Sequence, residues 1–134
     1  MEAFYHISKL RKITLFSRLP LEYLQILSES IALKDMSEGE VIFKEGDEGD
    51  GLYIVNSGEI SIIKGDKPIA QLQENSFFGE LALLSDNPRY ASAVVSKEGS
   101  YFYLDKYDFD RLTNEVPEIM RALTRHIVGY LNRK

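Results

Sequence analysis

The chain has 134 residues, of which 44% are apolar and 28% charged, so its length fits one domain, residues 1–134, with one hydrophobic core. Its formal net charge of −5 disfavours direct binding to nucleic acid, which depends on clustered lysine and arginine. The absence of cysteine excludes disulfides and thiol chemistry, and the absence of a run of eighteen apolar residues predicts a cytoplasmic protein that does not bind a membrane.

Two helices are the first predicted elements, within residues 1–31. Apolar residues recur there mostly at intervals of three and four, which is the period of a helix: Phe4, Ile7, Leu10, Leu15, Phe16, Leu19, Leu24, Leu27 and Ile31. The break between the helices falls around Ser17–Pro20, where Ser17 is a candidate cap and Pro20 suits a first helical turn.

Short β-type segments separated by glycine-rich turns follow over residues 32–105. Clear examples are Val41–Phe43, Leu52–Val55 and Ile60–Ile63, and further strands are expected at Ala91–Val95 and Tyr101–Leu104. Turn signals such as Ser57-Gly58 and Glu98-Gly99 separate them. This spacing predicts about eight short antiparallel strands in a sandwich or barrel.

The helical period returns over residues 106–134. Beyond Pro117 the apolar residues lie on one helical face: Ile119, Met120, Leu123, Ile127, Tyr130 and Leu131. Packing of this face on its own chain is the default interpretation, and a homodimer through the final helix is the alternative. The predicted fold class is mainly β with flanking helices.

The segment from Ser76 to Val95 interrupts the strand pattern and is the place where binding chemistry is expected. Glu80–Leu84 favours a short helical turn, whose first amides point outward as donors for an anion. The guanidinium of Arg89 suits a phosphate oxygen, and Glu80 could accept a hydrogen bond from a sugar hydroxyl. A surface salt bridge between Glu80 and Arg89 would equally account for the presence of these two residues. Their spacing leaves both the binding site and the salt bridge open.

This segment resembles the phosphate-binding cassette of cyclic-nucleotide-binding domains. The resemblance lies in Phe78-Gly79-Glu80-Leu81-Ala82-Leu83, then Pro88-Arg89 and Ala91-Ser92. Leu15–Leu19 is similar to the family's helical lead-in, and Gly39–Asp47 and Leu52–Glu59 are similar to its first and central hairpins. The family includes the catabolite activator protein, the regulatory subunits of protein kinase A and gated ion channels.

The resemblance implies an eight-stranded antiparallel β-roll, a jelly-roll-like barrel, with the cassette at residues 78–92, N-terminal helices, and two C-terminal hinge and lid helices. By resemblance, Glu80 takes the ribose 2′-hydroxyl and Arg89 takes an exocyclic phosphate oxygen. The amides of Gly79, Ala82 and Tyr90 complete the cradle, Ala91 must be small, and Ser92 adds a hydroxyl. The candidate ligand-binding residues are Gly79, Glu80, Leu81, Ala82, Arg89, Tyr90, Ala91 and Ser92.

Tyr90 departs from the family pattern, in which the residue after the arginine is usually small. A threonine at this position often accompanies a preference for cGMP, so the resemblance implies cAMP as the ligand, with cGMP second. A phenol here could stack near the base, point to solvent or crowd the pocket. The alternative is therefore a degenerate β-roll that has lost nucleotide binding and serves protein interaction.

Metal and enzyme sites are not predicted. Glu45–Asp50 is acidic but lacks the alternating ligands of a calcium-binding EF-hand loop, so a hairpin turn is expected there. A metal-dependent β-roll enzyme needs several histidines on strands, whereas His6 and His126 both fall in helical segments. We therefore expect a binding module without catalysis.

No helix-turn-helix follows the final helix, so the output of such a module is expected to pass to an unidentified protein effector, which is a separate partner if this chain is the whole protein and a missing part of the same protein if it is a fragment. By resemblance, Leu83 is the cassette residue that packs against Phe109 at the hinge, and Tyr130 is a candidate lid residue. We also expect Arg89→Ala to weaken nucleotide binding while the melting temperature of the unliganded chain stays nearly unchanged.

Overall fold

The computed structural model describes residues 2–13, 16–79 and 88–118, together with Met120, Arg121 and Arg125. The chain divides into two compact units, one formed by Met1–Ser30 with Tyr107–Lys134 and the other by Ile31–Lys106. No helix within the described residues is long and apolar enough to cross a membrane.

The helical unit contains the two N-terminal helices that the apolar period predicts, α1 at Glu2–Leu10 and α2 at Leu21–Ser30. The carbonyl of Pro20 accepts a hydrogen bond from the amide of Leu24 at 3.2 Å, so α2 begins directly after the proline. Proline is tolerated there because the first N–H groups of a helix have no partner within it. The two helices contact each other, with His6 Nδ1 3.4 Å from the Ser28 carbonyl oxygen.

The C-terminal part begins with α3 at Lys106–Glu115, in which Phe109 and Leu112 are fully buried. Arg111 donates a hydrogen bond to Ser30 Oγ at 3.2 Å, which links α3 to the end of α2. Beyond Val116 the backbone is helical again at Pro117, Glu118, Met120, Arg121 and Arg125.

Most of the predicted apolar face of the final helix lies outside the described residues. Met120 is its one described member; the others are Ile119, Leu123, Ile127, Tyr130 and Leu131. Whether this face packs on its own chain or forms a homodimer therefore stays a prediction.

The sheet unit is an antiparallel β structure with its central strands in the order β1-β6-β3-β4, while β2 pairs with β6 and β5 pairs with β3. The strands are β1 Ala32–Met36, β2 Val41–Phe43, β3 Gly51–Lys64, β4 Lys67–Leu72, β5 Phe77–Phe78 and β6 Ser92–Asp105. This confirms the predicted fold class, mainly β with flanking helices.

The described residues form six strands where about eight were expected, because two predicted turns are irregularities inside long strands. Ser57-Gly58 lies within β3 and Glu98-Gly99 lies within β6, and the register between these two strands shifts there. The backbones approach so closely that a Cβ on Gly58 would lie 2.5 Å from the carbonyl oxygen of Glu98. Glycine is therefore required by close packing inside a bulge.

A hydrophobic cluster fills the sheet unit and supports the site described below. Its buried members come from β1, β3, β5, β6 and the residue just before β6: Met36, Tyr53, Val55, Ile60, Ile62, Phe78, Ala91, Ala93, Val95 and Tyr101. Phe43 and Tyr103 pack against it while half-buried. Alternating inward side chains of antiparallel strands produce such a core.

Candidate functional site

Arg89 lies shortly before β6, and the loop between β2 and β3 fixes its backbone. The amide of Arg89 donates to the carbonyl of Asp47, and its carbonyl accepts from the amide of Gly46, both at 2.7 Å. The loop itself is tightened where the amide of Lys44 donates to the Asp47 carboxylate at 2.9 Å. The loop of residues 44–50 therefore lies against the backbone of Arg89.

The Arg89 side chain is almost completely buried, with 5% of its surface exposed. Nη1 donates to the carbonyl of Gly79 at 3.2 Å, and Nη2 donates to the carbonyl of Gly51 at 3.0 Å and to Asp50 Oδ1 at 3.1 Å. These bonds use three of the five N–H groups that a guanidinium carries. Nε is buried and has no hydrogen-bond partner within the described part of the chain.

Aromatic rings support the flat face of the guanidinium. Arg89 Cζ lies 4.1 Å from the centroid of the Phe43 ring and 5.7 Å from that of Tyr53. A cation over an aromatic face is attracted by the ring quadrupole, and the attraction is stronger where water is excluded. The site therefore holds a buried positive charge in a defined plane, which suits an oxyanion ligand.

Asp50 supplies the counter-charge of Arg89 and is held by several donors. Tyr53 Oη donates to Asp50 Oδ1 at 3.1 Å, while Tyr103 Oη and the amide of Lys106 donate to the Asp50 carbonyl at 3.0 and 2.9 Å. Burial, reinforced by the nearby Asp50 charge, raises the pKa of Tyr103 to about 12 and also raises the pKa of Tyr53. Both phenols are therefore protonated donors at neutral pH.

Gly79 closes the site from the other side and cannot carry a side chain there. Its φ is +82°, and a Cβ would lie 2.8 Å from Arg89 Nη1 and 3.0 Å from the carbonyl oxygen of Gly51. Its carbonyl oxygen is an acceptor for Arg89. Glycine at this position thus follows from both the backbone conformation and the space the guanidinium occupies.

The three residues after Arg89 have different surroundings. Tyr90 is 56% exposed, whereas Ala91 is 2% exposed and belongs to the hydrophobic cluster. Ser92 Oγ accepts a hydrogen bond from the amide of Glu45 at 2.9 Å. The Glu45 carboxylate binds the amide of Gly65 at 3.0 Å, which lowers the pKa of Glu45.

Of the predicted set, the structure describes Gly79, Arg89, Tyr90, Ala91 and Ser92, and it places Gly79 in contact with Arg89. Glu80, Leu81 and Ala82 lie outside the described residues, as do Leu83, His126 and Tyr130. The roles assigned to these positions by resemblance stay predictions.

Sequence reasoning missed Asp50, Tyr53 and Phe43 as partners of Arg89. For the acidic loop Glu45–Asp50 the sequence predicts a hairpin turn in place of a metal site. Its charge was a usable signal, because a buried guanidinium in a folded protein needs a counter-charge. Asp50 and Arg89 are 39 residues apart in sequence, so only the fold shows which acidic residue supplies it.

Comparison with models of protein families shows which family the chain belongs to. The model described as "Cyclic nucleotide-binding domain" matches residues 33–115, from β1 to the end of α3. The chain belongs to the cyclic-nucleotide-binding domain family. The matched range includes Arg89 and all of the described sheet except Ala32, the first residue of β1.

Individual members of the family are also similar to the chain. It is 36% identical over 101 residues to a "cAMP-dependent protein kinase regulatory subunit" of Hypocrea atroviridis, covering 75% of this chain and 22% of that one. It is 34% identical over 103 residues to a "cGMP-dependent protein kinase" of Plasmodium berghei (strain Anka), covering 76% and 12% respectively. The chain thus spans about a quarter or less of these relatives.

A solved chain described as "cAMP bound PfPKA-R (141-441)" has the same fold. It superposes with a TM-score of 0.85 at 28% identity, and the match covers 98% of this chain and 45% of that one. The β-roll fold that the sequence resemblance implies is thereby confirmed.

Proposed function

We propose that this chain binds a cyclic nucleoside monophosphate, cAMP in preference to cGMP, and acts as a regulatory module without catalysis of its own. The observation that carries the proposal is the buried guanidinium of Arg89, whose Nε has no partner among the described residues. A buried cation with unused donors suits a phosphate, and the family relationship supplies the nucleotide.

The proposed contacts follow the family cassette residue by residue. Arg89 takes an exocyclic phosphate oxygen, and Glu80 takes the ribose 2′-hydroxyl. The amides of Gly79, Ala82 and Tyr90 complete the cradle, and Leu81 and Ala91 are the further proposed ligand-binding residues. Ser92 already accepts a hydrogen bond from Glu45, which leaves its own hydroxyl proton as a donor.

The base preference rests on Tyr90. The relatives include proteins named for cAMP and for cGMP, so family membership alone does not decide between the two. Tyr90 stands where a threonine would favour cGMP, and its side chain is 56% exposed. We therefore propose cAMP as the tighter ligand.

The proposed response to the ligand is a population shift towards a tightened cassette. Leu83 would move against Phe109, and the helices of residues 106–134 would follow. The signal would then pass to a separate protein effector, for which the name of the Hypocrea relative suggests a kinase. Pairing of two copies through the final helix is the alternative use of that face.

Titration calorimetry with cAMP, cGMP and cyclic dinucleotides tests the proposal directly. We expect saturable binding of cAMP and weaker binding of cGMP. A tighter constant for cGMP would overturn the base preference alone. Absence of binding with every nucleotide would overturn the function.

A degenerate β-roll that serves protein interaction is the second candidate. The ion pair between Arg89 and Asp50 favours it, because the guanidinium already has a counter-charge without any ligand. A fully degenerate site, however, has no need for a buried cation whose Nε has no partner among the described residues. The same titration separates the two candidates.

A further inference from the structure

One oxygen of the Asp50 carboxylate is shared by two donors. Arg89 Nη2 and Tyr53 Oη both donate to Oδ1, each at 3.1 Å. The Asp50 main chain is held separately, since its carbonyl accepts from Tyr103 and Lys106. Asp50 is therefore held both at its carboxylate and at its main chain, although its side chain is 61% exposed.

The side chain of Tyr53 is a rigid hydrogen-bond donor, although it lies beside an exposed loop. The residue is 5% exposed, and its ring centroid lies 5.1 Å from that of Phe78 and 5.0 Å from that of Tyr103. Close-packed rings keep one orientation. An exposed carboxylate rotates freely unless it is bound, so the Tyr53 hydroxyl constrains Asp50 independently of the bond from Arg89.

We propose that Tyr53 is a positioning residue: by holding the Asp50 carboxylate it supplies the side-chain anchor of the Arg89 guanidinium, beside the main-chain anchors at the Gly79 and Gly51 carbonyls. A guanidinium is a planar fork, so an acceptor fixed on one nitrogen also orients the N–H groups on the others. The N–H groups that Arg89 does not use within the described residues are thereby directed before a ligand arrives. The consequence for nucleotide affinity rests on the proposed function, whereas the orientation of Arg89 does not.

The first experiment measures orientation in the unliganded full chain. Tyr53→Phe removes the hydroxyl and keeps the ring, and Tyr101→Phe is the matched control, because the Tyr101 ring lies 5.7 Å from the Tyr53 ring in the same cluster. Rotation of the Arg89 Nη groups is followed by ¹⁵N nuclear magnetic resonance, with the Arg89 signals assigned from their loss in Arg89→Lys.

We expect slow Nη rotation in the original chain and in Tyr101→Phe, and clearly faster rotation in Tyr53→Phe. Asp50→Asn leaves every aromatic ring in place and should also speed the rotation. Unchanged rotation in Tyr53→Phe would overturn the proposal, and so would a loss of order equally large in Tyr101→Phe.

The second experiment measures cAMP affinity in the same proteins. Tyr53→Phe should weaken binding about three- to tenfold, the effect of one hydrogen bond, while Tyr101→Phe stays within about twofold of the original chain. In an Asp50→Asn background, Tyr53→Phe should add little, because the two residues act in series. If Tyr53→Phe weakens cAMP binding as much in the Asp50→Asn protein as in the original chain, the positioning role is overturned. If the original chain binds no cyclic nucleotide, the proposed function fails while the rotation measurement still decides the role of Tyr53.

Discussion

Replacement of Arg89 should change both the stability of the unliganded chain and its affinity for cAMP. The contacts of Arg89 allow each change to be estimated separately. Without ligand, Arg89→Ala removes three hydrogen bonds and the stacking on Phe43. A net value of about 1 kcal/mol for each bond gives a destabilisation of about 2–4 kcal/mol. The melting temperature should then fall by about 10 °C. This replaces the sequence-based expectation of a nearly unchanged melting temperature.

The effect of Arg89→Ala on cAMP binding should be larger than its effect on stability. Each charge-assisted hydrogen bond to the phosphate contributes about 1.5–3 kcal/mol, so the loss of two weakens binding by about a hundredfold or more. Arg89→Lys should recover only part, since an ammonium keeps the charge and loses the planar fork. Calorimetry measures affinity, and differential scanning fluorimetry without ligand measures stability.

Arg111→Ala is the matched control for the loss of one positive charge. Arg111 lies on α3, where it pairs with Asp108 and Glu115 at 3.8 and 3.6 Å. This control should leave cAMP affinity within about twofold of the original chain, since Arg111 is already paired with two carboxylates and exposed charges are screened by salt. If Arg89→Ala lowers the melting temperature but binds cAMP as the original chain does, Arg89 is purely structural and the proposed function is wrong.

Two further predictions concern the sheet and the tyrosines around Asp50. Gly99→Ala should destabilise the chain by at least about 2 kcal/mol in urea unfolding, because its Cβ would collide with the Ser57 backbone. Gly65→Ala is the control for backbone strain alone, because Gly65 has a φ of +61° but nothing within 4 Å, and it should cost less; equal losses would contradict the bulge argument. The pKa of Tyr103 is raised to about 12 in the folded chain, so its contribution to stability is complete below about pH 10 and is lost as the pH rises towards about 12. The free energy of unfolding should therefore fall across that range. Tyr103→Phe should make the fall shallower, and an unchanged slope would show that Tyr103 does not titrate there.

The sequence predicted the parts of the fold that depend on local pattern. The apolar period located α1, α2 and α3, and the motif around Gly79 and Arg89 located the site. The strand count could not be predicted, because a glycine dipeptide such as Ser57-Gly58 signals a turn and a bulge equally well. Only the pairing of β3 with β6 over their full lengths distinguishes the two.

The composition of the site was harder to predict than its place. Cassette residues are adjacent in sequence, so a motif can reveal them together. The partners of Arg89 other than Gly79 come from β2, β3 and the loop between them, and apart from the acidic character of that loop none carries a local signal of its role. The resemblance assigned functions to Gly79 and Arg89, but the contacts with Asp50 and Phe43 depend on the folded sheet.

Asp50 places a negative charge beside the group that we propose to receive a negative phosphate, and its exposure decides whether this arrangement is tolerable. Two charges about 5 Å apart repel by about 1 kcal/mol in water and by more than ten times as much in a dry interior. The Asp50 side chain is 61% exposed, so solvent keeps the repulsion near the lower value. A buried guanidinium with no counter-charge would instead cost the unliganded protein several kcal/mol. The carboxylate would therefore weaken the proposed phosphate binding slightly, while it offsets the charge of Arg89 and helps to orient it in the unliganded site.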